Sequence, residues 1–165
     1  MPFSVPHALR AVAAVLLTVA LVGLRPVPVA EAMPVEGYPT YQPQTGCSPR
    51  PKPGTVLLSE WLLRRYPGSG SSGISRDCGS SGVSEHKEGR AFDWRLDARS
   101  RRDRGYARDF LDRVLATDRR GNAQAVARRM GIMYLIWNDH IWSASSGYAK
   151  RDYVHAACSQ ADGCS

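Results

Sequence analysis

Residues 84–96 read Ser-Glu-His-Lys-Glu-Gly-Arg-Ala-Phe-Asp-Trp-Arg-Leu, and two kinds of pattern meet in them. From Arg90 to Leu96 the chain alternates, with Ala91 and Asp93 on one side and Phe92 and Trp94 on the other. That is the period of a half-buried strand. The preceding Ser84–Gly89 is polar, carries His86, and ends in a glycine that lets the backbone turn. A loop imidazole converging with a strand carboxylate suits a divalent ion such as zinc, whose catalytic sites use three protein ligands and one open position. His86 and Asp93 are therefore candidate ligands, with Ala91 leaving the space beside Asp93 clear. By spacing alone, a histidine and an aspartate so separated are more often ordinary surface residues.

Helical and strand patterns alternate on either side of this stretch. Val56, Leu57, Trp61, Leu62 and Arg65 recur at turn spacing behind a possible cap at Thr55, until Pro67-Gly68 stops the helix. Gly68–Gly82 is Gly/Ser-rich and leads straight into the His86 segment, so it reads as a loop of the site rather than a bland spacer. Arg101–Thr117 is amphipathic, with Ala107, Phe110, Leu111, Val114 and Leu115 on one stripe and a solvated face of arginines and aspartates opposite. Asn122 reads as the cap of a further helix that turns Ala123, Val126, Ala127 and Met130 inward and ends at Gly131. Ile132–Trp137 is a buried strand by its apolar run, and His140–Ser143 is its hairpin partner. With no glycine fingerprint of a dinucleotide fold, the expectation is α+β: a small antiparallel sheet with two or three helices packed on it.

The chain has 165 residues, 43% of them hydrophobic and 22% charged, with a formal net charge of +7. One domain is expected, and neither a disordered regulator nor a polytopic membrane protein fits. Arg10, the apolar stretch Ala11–Leu24 and the small residues Ala30 and Ala32 predict a signal peptide over 1–32, since the stretch falls short of the ~20 residues of a spanning helix. Residues 33–52 read as a proline-rich extended arm, and 53–165 as the domain. Export exposes Cys47, Cys78, Cys158 and Cys164 to oxidation. Of the three possible connectivities, Cys47–Cys78 with Cys158–Cys164 is favoured; a thiolate zinc site is disfavoured because no CxxC spacing occurs.

The pattern Ser-x-His-x-x-Gly-x-Ala-x-Asp, here Ser84 to Asp93, resembles the first zinc half-site of the D-alanyl-D-alanine carboxypeptidase family, grouped with the lysostaphin and hedgehog folds. A broader likeness, over about Pro53–Tyr153, is to a secreted bacterial subfamily with a His-Lys-x-Gly-Arg-Ala-x-Asp-Trp string and an Ile-Trp-rich hairpin, here Ile136-Trp137 and Ile141-Trp142. The resemblance implies that His86 and Asp93 bind zinc and that Arg76, in Ile74-Ser75-Arg76, grips the substrate or its oxyanion. It implies a third ligand histidine near the C-terminus, with an acidic base beside it. Asp152-Tyr153-Val154-His155 has that spacing, which makes His155 the third ligand and Asp152 the base, with Glu85 or Glu88 as alternative bases. Cys158, Cys164 and the end at Ser165 depart from the family's closing strand. A truncated chain or a degenerate relative is the competing expectation, and His140 reads as a turn residue.

The resemblance thus implies a secreted zinc hydrolase of cell-wall peptides ending in D-alanine. The competing class is a wall-associated protein with the fold and an incomplete metal site. Excess positive charge suits anionic wall polymers. A nucleic-acid partner is not expected, because the arginine-rich helix lacks interleaved aromatics. A monomer detached from the membrane after signal cleavage completes the expectation.

Overall fold

Pro53 opens the first helix, α1 (Pro53–Arg65), where its missing N–H costs nothing and its fixed φ suits the helix. The start precedes Thr55, which therefore lies inside the first turn instead of capping it. The structure is a computed structural model and describes residues 34–154. After α1 comes β1 (Gly70–Gly73), which pairs antiparallel with β2 (Asp93–Arg95) in the register Gly70↔Arg95, Ser71↔Trp94 and Gly73↔Asp93, with an irregularity between Ser71 and Gly73. A strand thus runs through the Gly/Ser stretch expected as loop. The glycine at position 70 admits the Arg95 guanidinium, which lies where a side chain would stand.

Helix α2 (Arg101–Leu115) is capped by Ser100, whose Oγ accepts from the Asp103 amide at 3.3 Å. It buries Ala107, Phe110 and Val114, which belong to the expected stripe. Asn122 does not cap the next helix. Its amide and side chain instead donate to the Asp118 carboxylate, and the single turn α3 (Ala125–Arg129) follows Gln124 in the left-handed region at φ 48°. The later start rotates the helix: Ala125 and Ala127 are buried, whereas Val126 and Met130, expected inward, are exposed. Gly131 ends it with φ +64°.

Strands β3 (Tyr134–Trp137), β4 (His140–Ser143) and β5 (Lys150–Asp152) form an antiparallel sheet in that order. The β3–β4 turn is Asn138-Asp139 with φ of 47° and 58°, the doubly left-handed geometry that matches strand twist. Leu62, Tyr66, Phe110, Val114, Ala127, Ala144 and Tyr148 form the buried core, and Phe92, Trp94, Leu135 and Trp142 pack against it. The α+β expectation holds, with three α-helices among the described residues, but their strands divide between a two-stranded and a three-stranded sheet. No helix among the described residues is long and apolar enough to cross a membrane. The expected signal peptide, Cys158–Cys164 and His155 lie outside the described residues.

Residues 34–52 contain no helix or strand, as their prolines predict, but they are not a free linker. Ser48 and Lys52 donate backbone hydrogen bonds to the carbonyls of Lys87 and Gly89, each at 2.8 Å. The Arg128 guanidinium lies over the Tyr38 ring and its Nε donates to the Glu36 carbonyl.

Candidate functional site

The His86 loop is a 3-10 turn, Glu85–Glu88, begun by Ser84, whose Oγ accepts from the His86 amide at 3.3 Å, and closed by Gly89 at φ 65°. Gly89 must be glycine for two reasons. The left-handed conformation disfavours a side chain, and a Cβ there would run into the Arg50 carbonyl on the arm. Glycine at this position therefore lets the arm pass closely over the turn.

His86 Nδ1 lies 2.9 Å from the Ile74 carbonyl. Since a carbonyl only accepts, Nδ1 carries the proton, a tautomer assigned from the hydrogen bond. That leaves Nε2 directed at Asp93 Oδ1, 3.3 Å away, with the imidazole largely buried (13% exposed) and the carboxylate open (57% exposed). A histidine that ligates a metal through one nitrogen commonly gives its other N–H to a carbonyl or carboxylate in this way. In the neutral tautomer, Nε2 and the carboxylate are both electron-pair donors. Their approach calls for a proton or a cation between them. Asp93 is placed by β2, where it pairs with Gly73 at the irregularity. The donor set of one imidazole and one carboxylate fits half of a zinc site.

The loop around the pair is held from several sides. Arg76 N–H donates to the His86 carbonyl at 3.2 Å. The Lys87 ammonium is buried and donates to the carbonyls of Ser80 and Gly82. Ser75 Oγ donates to the Pro49 carbonyl, and a Cys47–Cys78 disulfide ties the arm to the same loop. The Arg76 side chain is exposed and has no ion pair among the described residues.

The remaining sequence-derived candidates are distributed differently. Glu88 accepts from the amides of Thr45 and Gly46 at 3.0 and 3.1 Å, and Arg90 Nε donates to it at 2.7 Å. The Thr45 amide first and then Arg90 hold its carboxyl down at about 2, so it is a strut of the arm and a weak base. Glu85 accepts from the Tyr134 hydroxyl at 2.9 Å and from Tyr41 at 3.5 Å. Burial, and next the Glu85 carboxylate, push the Tyr134 phenol well above its ordinary range. Sequence reading missed these two tyrosines and the Ile74 carbonyl, because none of them has a fixed spacing from His86.

Asp152, at the end of β5, faces His140 across the sheet, with Oδ1 3.7 Å from Nε2. Strand alternation puts His140 and Asp152 on the sheet face opposite Tyr134, which carries Glu85. Asp152 is therefore not brought to His86. Among the described residues, no third His, Cys, Asp or Glu joins His86 and Asp93 in a group able to hold a metal.

A family model described as VldE, C-terminal domain, matches residues 47–160. No curated protein and no solved structure shows significant similarity to the chain.

Proposed function

The chain belongs to the VldE C-terminal domain family, and for this domain we propose a secreted zinc-dependent hydrolase of cell-wall peptides, of the D-alanyl carboxypeptidase or endopeptidase type. The observation that carries the reading is the approach of His86 Nε2 to Asp93 Oδ1 at 3.3 Å, with Nδ1 committed to Ile74. The disulfide between Cys47 and Cys78 is compatible with an exported chain.

In this reading His86 and Asp93 are two ligands and His155 is the third. A bound zinc would supply Lewis acidity for the scissile carbonyl and for the attacking water. The exposed Arg76 guanidinium, anchored through its own backbone to His86, is available to grip a substrate carboxylate with its planar fork. Of the three candidate proton acceptors, Glu88 is committed to the arm, and Asp152 stands beside His140 on the other face of the sheet. Glu85 shares the 3-10 turn with His86 and keeps one oxygen with only the long contact from Tyr41, so we assign the role to Glu85.

Zinc stoichiometry of the purified chain tests the proposal. One equivalent is expected in the wild type, lost in His86→Ala and Asp93→Ala, and required for release of D-alanine from a wall peptide. Wild-type protein that takes up no zinc would overturn the hydrolase reading. Zinc uptake without hydrolysis, unaffected by His155→Ala, would favour the non-catalytic alternative.

A further inference from the structure

A groove of about 590 Å³ runs between α2 and the three-stranded sheet. Its helical wall presents Arg104, Arg108 and Asp112, which lie one turn apart along one face of α2. Its sheet wall presents Trp137, His140 and Trp142, with Lys150 at the edge. The strand register explains the second wall, because Trp137 pairs with His140 and Trp142 with Lys150 on a single face. That face is opposite Tyr134 and Glu85, so the groove is separate from the His86–Asp93 pair.

The charges in the groove are largely uncommitted. Arg108 and Asp112 have no hydrogen-bond or ion-pair partner among the described residues, and the Lys150 ammonium rests 6.0 Å from the centroid of the Trp142 ring. Arg104 is partly engaged, with one nitrogen donating to the carbonyls of Ala98 and Arg99. His140 gives Nδ1 to the Asn138 carbonyl and turns Nε2 toward Asp152. The lining thus combines two indole surfaces, three cations and a free carboxylate.

We propose that this groove binds an acidic saccharide, a sugar chain bearing carboxylates. The apolar C–H face of a pyranose lies on an indole, and Trp offers a large rigid surface for it. A sugar carboxylate takes charge-assisted hydrogen bonds from Arg108 and Lys150. Asp112 accepts from sugar hydroxyls, which are donors that a nucleic-acid backbone of phosphates does not supply, and it repels that backbone. The mixture of cations with an unpaired carboxylate therefore favours a hydroxyl-rich anion over a nucleic acid. The proposal is independent of any chemistry at His86.

Calorimetric titration of the full chain with a tetramer of a 4-linked uronic acid tests it, beside a neutral glucose tetramer and an eight-residue oligothymidylate. The uronate is expected to bind saturably and at least about tenfold more tightly than the neutral tetramer. The double variant Arg108→Gln/Lys150→Gln is expected to weaken it about tenfold or more, the size of one or two lost charge-assisted contacts. Both positions are exposed, so the variant should keep the wild-type circular dichroism and zinc stoichiometry. Absence of uronate binding at millimolar ligand, equal binding of the neutral tetramer, indifference to the double variant, or tighter oligothymidylate binding would each overturn the proposal.

Discussion

Glu85 and Glu88 lie in one short turn, yet the fold gives them different work. Glu85 reaches the sheet through Tyr134, while Glu88 turns to the arm and gathers two amides and the Arg90 guanidinium. His86 between them is oriented by a backbone carbonyl rather than by either acid. Glu88 gives a pH-dependent stability with a definite sign. Its carboxyl is lowered from the usual 4.5 to about 2, so the folded form favours the ionised state. Its contribution is complete above about pH 4.5 and is lost as pH falls toward 2. Denaturant melts between those limits should show wild-type stability dropping with acid and Glu88→Gln showing a flatter profile. Parallel profiles for the two proteins would remove Glu88 as the acid-sensitive strut.

The proline-rich arm and the Gly/Ser loop act as a coupled pair of elements around the 3-10 turn. Each donates backbone hydrogen bonds to that turn, the arm from Ser48 and Lys52 and the loop from Arg76, while the Ser75 hydroxyl bond to Pro49 and the Cys47–Cys78 disulfide join the two directly. The bridge spans a sequence separation of 31, and closing such a loop in the unfolded chain corresponds to about 3 to 4 kcal/mol in the chain-entropy account. Cys47→Ser/Cys78→Ser should lower the unfolding free energy by that order, measured in urea. It should also broaden the His86 ring resonances, because Ile74, which fixes the tautomer, lies in the released loop. A loss below about 1 kcal/mol with unchanged His86 signals would show that the loop holds its shape without the bridge.

The whole domain rests on a small core in which α1 and α2 meet both sheets. Leu62 and Tyr66 are its most completely buried large side chains, at 2% and 1% exposure. Tyr66 also stacks against Trp94 from the first sheet, with ring centroids 5.0 Å apart, and donates its hydroxyl to Asp109 at 2.8 Å. Trp142 from the second sheet packs on the same cluster. Leu62→Ala should therefore cost about 2 to 5 kcal/mol and weaken both sheets in one transition. Coincident melting by near-ultraviolet and far-ultraviolet circular dichroism checks this. Two separated transitions would mean that the sheets are stabilised independently.

What could be read from the chain was whatever repeats locally. The period of α2 exposes its buried stripe, the apolar run and the turn residues Asn138-Asp139 announce the β3–β4 hairpin, and the Ser84–Asp93 string picks out the histidine and carboxylate that converge. Features without a side-chain pattern stayed hidden. Strand β1 is Gly-Ser-Ser-Gly, β5 is the exposed Lys-Arg-Asp, and α3 begins two residues late because Gln124 adopts a left-handed backbone that composition does not announce. The Thr45 and Gly46 bonds to Glu88 and the Tyr134–Glu85 bond join residues 42 to 49 apart in the chain, and the pairing of Asp152 with His140 depends on where β5 docks; no spacing rule links them. The groove is the plainest instance: its arginines belong to a helix and its tryptophans to a hairpin. Only packing that hairpin across α2 brings aromatic faces beside the cations, because burying the shared apolar stripe leaves their polar ends along one open edge.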